Sequence, residues 1–100
     1  MQADDGTAIE REEGASKGRY FVRGPHGDVA ELTYTLIGTK QIIIDHTEVP
    51  DAFRGQGIGL ALVARAVEDA RAGGKKIIPL CPFANAQFRR HPEWGDVLKR

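Results

Sequence analysis

Residues 54–59 read RGQGIG, and the periodicity of the chain changes across them. Before them, KQIIIDHTEV (40–49) is an apolar, β-branched run of strand length. After them, Ile58, Leu62, Val63, Ala66, Val67 and Ala70 recur at helical spacing between Gly57 and Ala72, while Arg65, Glu68, Asp69 and Arg71 fall largely off that stripe. The helix spans roughly 24 Å at 1.5 Å per residue. Gly73 and Gly74 supply its stop, and KKIIPL (75–80) follows as a short strand. Strand, glycine turn, helix, strand is a βαβ unit, so the runs at 40–49 and 75–80 are expected parallel, in one sheet, with a right-handed crossover.

Upstream the period is two. In DVAELTYTLIG, Val29, Glu31, Thr33 and Thr35 fall on one face and Ala30, Leu32, Tyr34 and Leu36 on the other. RYFVRG before it is aromatic and β-branched, GPHG (24–27) is a turn, and Gly38 marks the tight connection onward, which predicts an antiparallel meander. IEREE (9–13) reads as a short edge strand, and the three consecutive isoleucines 42–44 imply that both faces are covered there. FANAQFRRH is a last short helix ended by Pro92. The fold class is α/β (α+β): a mixed, mainly antiparallel sheet with one long helix and a short C-terminal helix. Residues 1–8, polar and aperiodic, are expected to form a mobile tail, and 9–100 a single domain.

Charge excludes some partners. Lys plus Arg number 14, as do Asp plus Glu, so no field draws in nucleic acid or an anionic membrane surface. No apolar run reaches bilayer length. One cysteine, Cys81, cannot form an internal bridge, and the start MQADDG lacks the basic and apolar regions of a secretory leader, which predicts a reducing, cytoplasmic setting. A chain of this size buries a core without disulfides or metals, and no metal is expected.

The glycine turn lies where a strand delivers the chain to a helix N-terminus, the place of unpaired N–H groups and positive dipole. With no Cβ at Gly55, Gly57 and Gly59, an anion can approach the amides of Gly55, Gln56, Gly57, Ile58, Gly59 and Leu60, with Arg54 adding charge at the rim. A glycine-rich connection without a ligand is the other reading. A P-loop is excluded because no Gly-Lys-Ser/Thr follows, and the dinucleotide fingerprint is excluded because the spacing is GxGxG.

VPDAFRGQGIGLALV, with Arg54, Gly57 and Gly59 in the order RxxGxG, resembles the pyrophosphate-binding segment of the GNAT acyltransferase superfamily. With HTEVP before it and IIPLCPF after it, the stretch from about residue 18 to 94 is similar to the short single-domain branch of that superfamily. The resemblance implies a GNAT-like fold, acetyl-CoA or another acyl-CoA as donor, coenzyme A as product, and transfer to an amine acceptor, small molecule or protein. It implies that the amides of Gly55 through Leu60 cradle the coenzyme pyrophosphate, that the backbone of Thr47 and Val49 pairs with the pantetheine arm, and that Asn85 contacts coenzyme A. Pro79, with no N–H, is a physical reason for the two parallel strands to splay; the alternative is that the strand stops at Ile78.

Attack of an amine on a thioester needs a base, a stabilised oxyanion and a proton for the leaving thiolate. His46 and Glu48, two apart and so on one face, are the candidate bases, His46 because its ordinary pKa is about 6.5; a half-buried strand histidine and an exposed carboxylate are their structural readings. A backbone N–H near Val49 is what the resemblance offers for the oxyanion. Where many GNAT enzymes carry a tyrosine, this chain has Phe88, and its tyrosines, Tyr20 and Tyr34, lie on early strands. Cys81, between Pro79 and Pro82, is then a thiol acid, an acyl acceptor, or a buried apolar filler. Arg89, Arg90 and His91 form a basic cluster that reads first as a solvated helix face, and Trp94 as a core plug. Without the tyrosine, a coenzyme-A-binding module with little turnover is the rival to an enzyme.

Overall fold

The computed structural model describes residues 8–99. The stretch read as a tail falls, apart from Ala8, outside the described residues. Five strands, β1 (Glu10–Glu13), β2 (Lys17–Arg23), β3 (Val29–Ile37), β4 (Gln41–Glu48) and β5 (Lys76–Pro79), stand side by side in chain order. The first four pair antiparallel and β5 runs parallel to β4, as the βαβ reading requires. Helix α1 (Ile58–Gly73) makes the crossover, and α2 (Pro82–Arg90) follows β5.

The alternation in β2 and β3 decides which face is buried. Tyr20, Val22, Ala30, Leu32 and Tyr34 are buried, and they form one cluster with Ile42, Ile44 and Ile77 of the later strands. The apolar stripe of α1, Ile58, Leu62, Val63, Ala66, Val67 and Ala70, is buried in the same cluster, each larger side chain contributing about 1.5–3 kcal/mol by leaving water. Gly74, at φ 69°, ends α1 in the left-handed conformation and donates to the carbonyls of Ala70 and Arg71. Among the described residues no helix is long and apolar enough to cross a membrane.

The face bearing Arg19, Glu31, Thr33 and Ile43 is different. These residues are half-exposed, so the expectation that both faces of 42–44 are covered fails at Ile43, which pairs with the equally half-exposed Ile78. Instead of a helix, this face carries charged side chains. Phe21, 2 % exposed, has the guanidiniums of Arg19 and Arg23 over its ring at 4.0 and 5.1 Å, the long stems covering what a second helical layer would otherwise bury. Arg19 bonds Glu12 and Glu31, and Arg23 bonds Glu10.

The edge strand β1 is tied to α1 through side chains. Tyr20 donates to Asp69 of α1 at 2.7 Å; Tyr34 donates to Glu13 at 2.7 Å and accepts from Arg11 at 3.0 Å. Burial and the Asp69 carboxylate raise the Tyr20 hydroxyl far above its ordinary pKa, and burial together with Glu13 raises that of Tyr34. At the opposite edge, residues 97–99 lie along β5: Ile77 N–H donates to Val97 and Lys99 N–H to Ile77. Both edges are thereby charged or covered.

Candidate functional site

From β4 the chain passes Pro50, a 3-10 turn at Asp51–Phe53, and then Gly55 and Gly57, both left-handed at φ 81° and 68°. A Cβ added at either would meet nothing within 4 Å. Backbone conformation demands glycine there, and crowding does not. The resulting turn leaves a row of donors. Arg54, Gln56 and Ala61 N–H groups are taken by the carbonyls of Asp51, Phe53 and Gly57; among the described residues no backbone carbonyl accepts from Gly55, Gly57, Ile58, Gly59 or Leu60. No acidic residue stands in the first turn of α1, and no side chain caps it. This is the arrangement that takes an anion at a helix N-terminus. Arg54, exposed, pairs with Asp51 at 3.0 Å.

Gly59 has another reason. A Cβ on it would lie 2.9 Å from Phe83 Cζ and 3.5 Å from Val49 Cγ2. The third glycine, grouped from the sequence with the other two as bare for an anion, is bare for the Phe83 ring of α2, which rests on the first turn of α1. Val49, Leu60 and Phe83 are exposed for apolar residues, and Leu80 is 67 % exposed. Sequence reasoning did not single out Phe83 or Leu80; the signal was an aromatic one residue into the helix after a proline-flanked strand end.

The β4–β5 ladder ends at Ile44↔Pro79, and Cys81 N–H makes a last bond to the Ile44 carbonyl at 3.1 Å. Pro79 thus belongs to the strand, one residue past Ile78, but its missing N–H is not what ends the pairing. Lys76 N–H donates to Lys40 beside β4 while Ile77 N–H donates away from β4 to Val97, so by alternation the Pro79 nitrogen faces the outer side, and the ladder stops where Leu80 N–H turns back to the Ile78 carbonyl. From Asp45 to Glu48, β4 keeps β3 on one side and, among the described residues, has no strand on the other. An extended chain such as a pantetheine arm pairs with an edge of this kind through backbone groups of Thr47 and Val49.

A β-bulge governs the side chains. Tyr34 pairs with Ile44 and Thr33 with His46, so Asp45 is the extra residue. Without the bulge, His46 would share the inward parity of Ile42 and Ile44. With it, Asp45 and His46 both turn to the helix-free face, Asp45 bonding Thr35 there at 2.7 Å. Thr47, opposite buried Leu32, turns to the helix side, and Glu48, opposite Glu31, turns out again. His46 Nε2 and Glu48 Oε1 are 4.0 Å apart, both exposed. Cys81, 5 % exposed, donates from Sγ to Thr47 Oγ1 at 3.4 Å. The candidate residues therefore form two groups, Cys81 with Thr47 and His46 with Glu48, on opposite sides of one strand.

Asn85 holds the turn into α2, its amide reaching the Pro79 carbonyl at 3.4 Å. His91 bonds the Gln87 carbonyl and stacks on Trp94 at 4.2 Å, while Trp94 meets Phe88 edge-on at 5.4 Å. Trp94 is thus the core plug expected, and Arg89 and Arg90 are exposed. Neither tyrosine approaches Cys81 through a hydrogen bond; both hydroxyls are engaged with Asp69, Glu13 and Arg11.

Residues 19–97 match the family model described as GCN5-related N-acetyl-transferase. Protein NATD1 of Xenopus tropicalis is 40 % identical over 91 residues, covering 89 % of this chain and 83 % of that protein. Protein NATD1 of Homo sapiens is 37 % identical over 91 residues, covering 89 % and 80 %. The solution structure, by NMR, of a GCN5-like protein from Staphylococcus aureus superposes with a TM-score of 0.69 at 34 % identity, over 90 % of this chain and 87 % of that one. A mixed sheet opened beside a glycine-turned helix, with these likenesses, defines an acyltransferase-type α/β domain. The chain belongs to the GCN5-related N-acetyltransferase family.

Proposed function

We propose that the protein transfers an acetyl group from acetyl-CoA to a primary amine. The observation that carries this is the adjacency of two unsatisfied backbone surfaces, the free amides at the start of α1 and the unpaired edge of β4 just upstream of them. One suits a pyrophosphate, the other an amide-bearing arm, and the residues present fit coenzyme A. Acetyl-CoA, when bound, supplies an activated acyl group as a thioester.

The residues then divide the work. Amides of Gly55, Gly57, Ile58, Gly59 and Leu60 hold the phosphates, that of Gln56, expected among them from the sequence, being given to the Phe53 carbonyl at 3.2 Å, and Thr47 and Val49 align the arm by backbone pairing. His46 Nε2 accepts the proton that an attacking amine must lose, with Glu48 Oε1 4.0 Å away on the same face. The Cys81 thiol, on the other side of β4, holds a proton within reach of a leaving sulfur. A reducing, cytoplasmic setting keeps it a thiol.

A second reading is a coenzyme-A-binding module, favoured by the engagement of both tyrosine hydroxyls elsewhere and the presence of Phe88 on α2. Calorimetric titration with acetyl-CoA combined with thiol release over a panel of amines separates them. Binding with amine-dependent thiol release supports transfer; binding without release for any amine supports the module; absence of binding removes both.

A further inference from the structure

Thr35 Oγ1 donates to Asp45 Oδ2 at 2.7 Å and accepts from Lys17 Nζ at 3.1 Å, so a carboxylate and an ammonium stand side by side on the helix-free face. Among the described residues neither forms an ion pair. They flank a groove of about 460 Å³ whose lining includes Glu12, Lys17, Gly18, Arg19, Thr33 and Asp45. Arg19 is spent on Glu12 and Glu31, which leaves Lys17 as the cation with donors to offer and Asp45 Oδ1 as an anionic oxygen with none taken. The groove adjoins the bulge through two lining residues: Asp45 is the bulged residue, and Thr33 is the cross-strand partner of His46.

We propose that this groove seats the acyl acceptor and that the acceptor is a small zwitterionic amine of amino-acid type. Its carboxylate pairs with Lys17 Nζ and its ammonium with Asp45, where the groove adjoins the bulge beside His46 and the edge of β4. This rests on the acyltransferase reading above. The mixture of charges decides the class. A diamine would set a second ammonium against Lys17 and Arg19, and a dianion would face Glu12 and Asp45, whereas a zwitterion satisfies both signs. In the reaction the ammonium gives one proton to His46, the neutral nitrogen bonds the acyl carbon as the carbon–sulfur bond breaks, and the second proton leaves nitrogen and ends on the coenzyme sulfur.

The test is amide NMR of the full-length protein titrated with the common amino acids, their carboxamides and putrescine, with and without acetyl-CoA, thiol release being followed in parallel. At least one amino acid should move the amides of Lys17, Arg19, Thr33 and Asp45 saturably, and its carboxamide should bind about tenfold more weakly, the loss of one charge pair. Lys17→Met, on an exposed side chain, should abolish that difference and leave acetyl-CoA affinity unchanged. Equal or tighter binding of the carboxamide or putrescine overturns the proposal, as does acetyl-CoA binding with no amino acid moving these amides. Failure of acetyl-CoA to bind is a separate result that removes the acyltransferase reading instead.

Discussion

Cys81 Sγ lies 3.4 Å from Thr47 Oγ1 on the helix side of β4, while His46, the residue next to Thr47, turns to the opposite face. Acid and base candidates are thus separated by one strand, which suits a reaction whose donor and acceptor arrive from different sides.

This separation predicts that both faces of β4 are needed for turnover. Cys81→Ala should lower the rate of thiol release about tenfold to a hundredfold for loss of a proton donor. His46→Gln should lower it by a similar factor. Thiol-release assays at saturating acetyl-CoA check both; an unchanged rate in His46→Gln would exclude His46 as the base.

At Gly59 two effects oppose. Alanine gains about 1 kcal/mol in helix propensity, and the clash with Phe83 costs about 1–3 kcal/mol if the ring cannot move. Phe83 is 39 % exposed and only its ring tip is struck, so it swings aside. Gly59→Ala should therefore change stability by less than about 1 kcal/mol, while in a Phe83→Ala background the same substitution should stabilise by about 1 kcal/mol. Urea unfolding of the four-member cycle measures the coupling.

The Tyr34 hydroxyl donates to Glu13 and, aided by Arg11, holds that carboxyl below the usual range; Arg71 does the same to Asp96. A carboxyl with a lowered folded-state pKa adds stability above its unfolded value and loses it as pH falls through the folded value. Unfolding free energy should decline between about pH 5 and pH 2, and Glu13→Gln should make that decline shallower. Equal slopes would place the acid sensitivity elsewhere.

Tyr20→Phe leaves Asp69 without its shortest partner, though Arg11 and Arg65 remain within 3.4 and 3.5 Å. The loss should be about 1–2 kcal/mol in urea unfolding, at the low end of the range for a hydrogen bond to a charged group because the two arginines remain on the carboxylate.

Much of this architecture is written locally. The inward alternation of Ala30, Leu32 and Tyr34, the stripe of α1 and the stop at Gly74 each rest on residues a few positions apart, and all stand as the pattern requires. The bulge at Asp45 was not legible, because IIIDHTE contains no residue that marks where two side chains will share a face. It arises from register with β3, and it alone moves His46 outward. Phe83 was missed for the same kind of reason: its partner Gly59 is 24 positions away, and only the packing of α2 on α1 joins them.

Bare amides at the head of α1 are what hold the coenzyme phosphates in this reading. Titration of the labelled protein with coenzyme A, followed at the amides of Gly55, Gly57, Ile58, Gly59 and Leu60, measures that hold, with Gly57→Glu and Gly57→Gln compared because any side chain at φ 68° strains the turn and only the first adds negative charge. Large saturable shifts at these five amides are expected, with binding weaker in Gly57→Glu than in Gly57→Gln; five amides unmoved by coenzyme A, or equal binding by the two variants, would overturn the assignment.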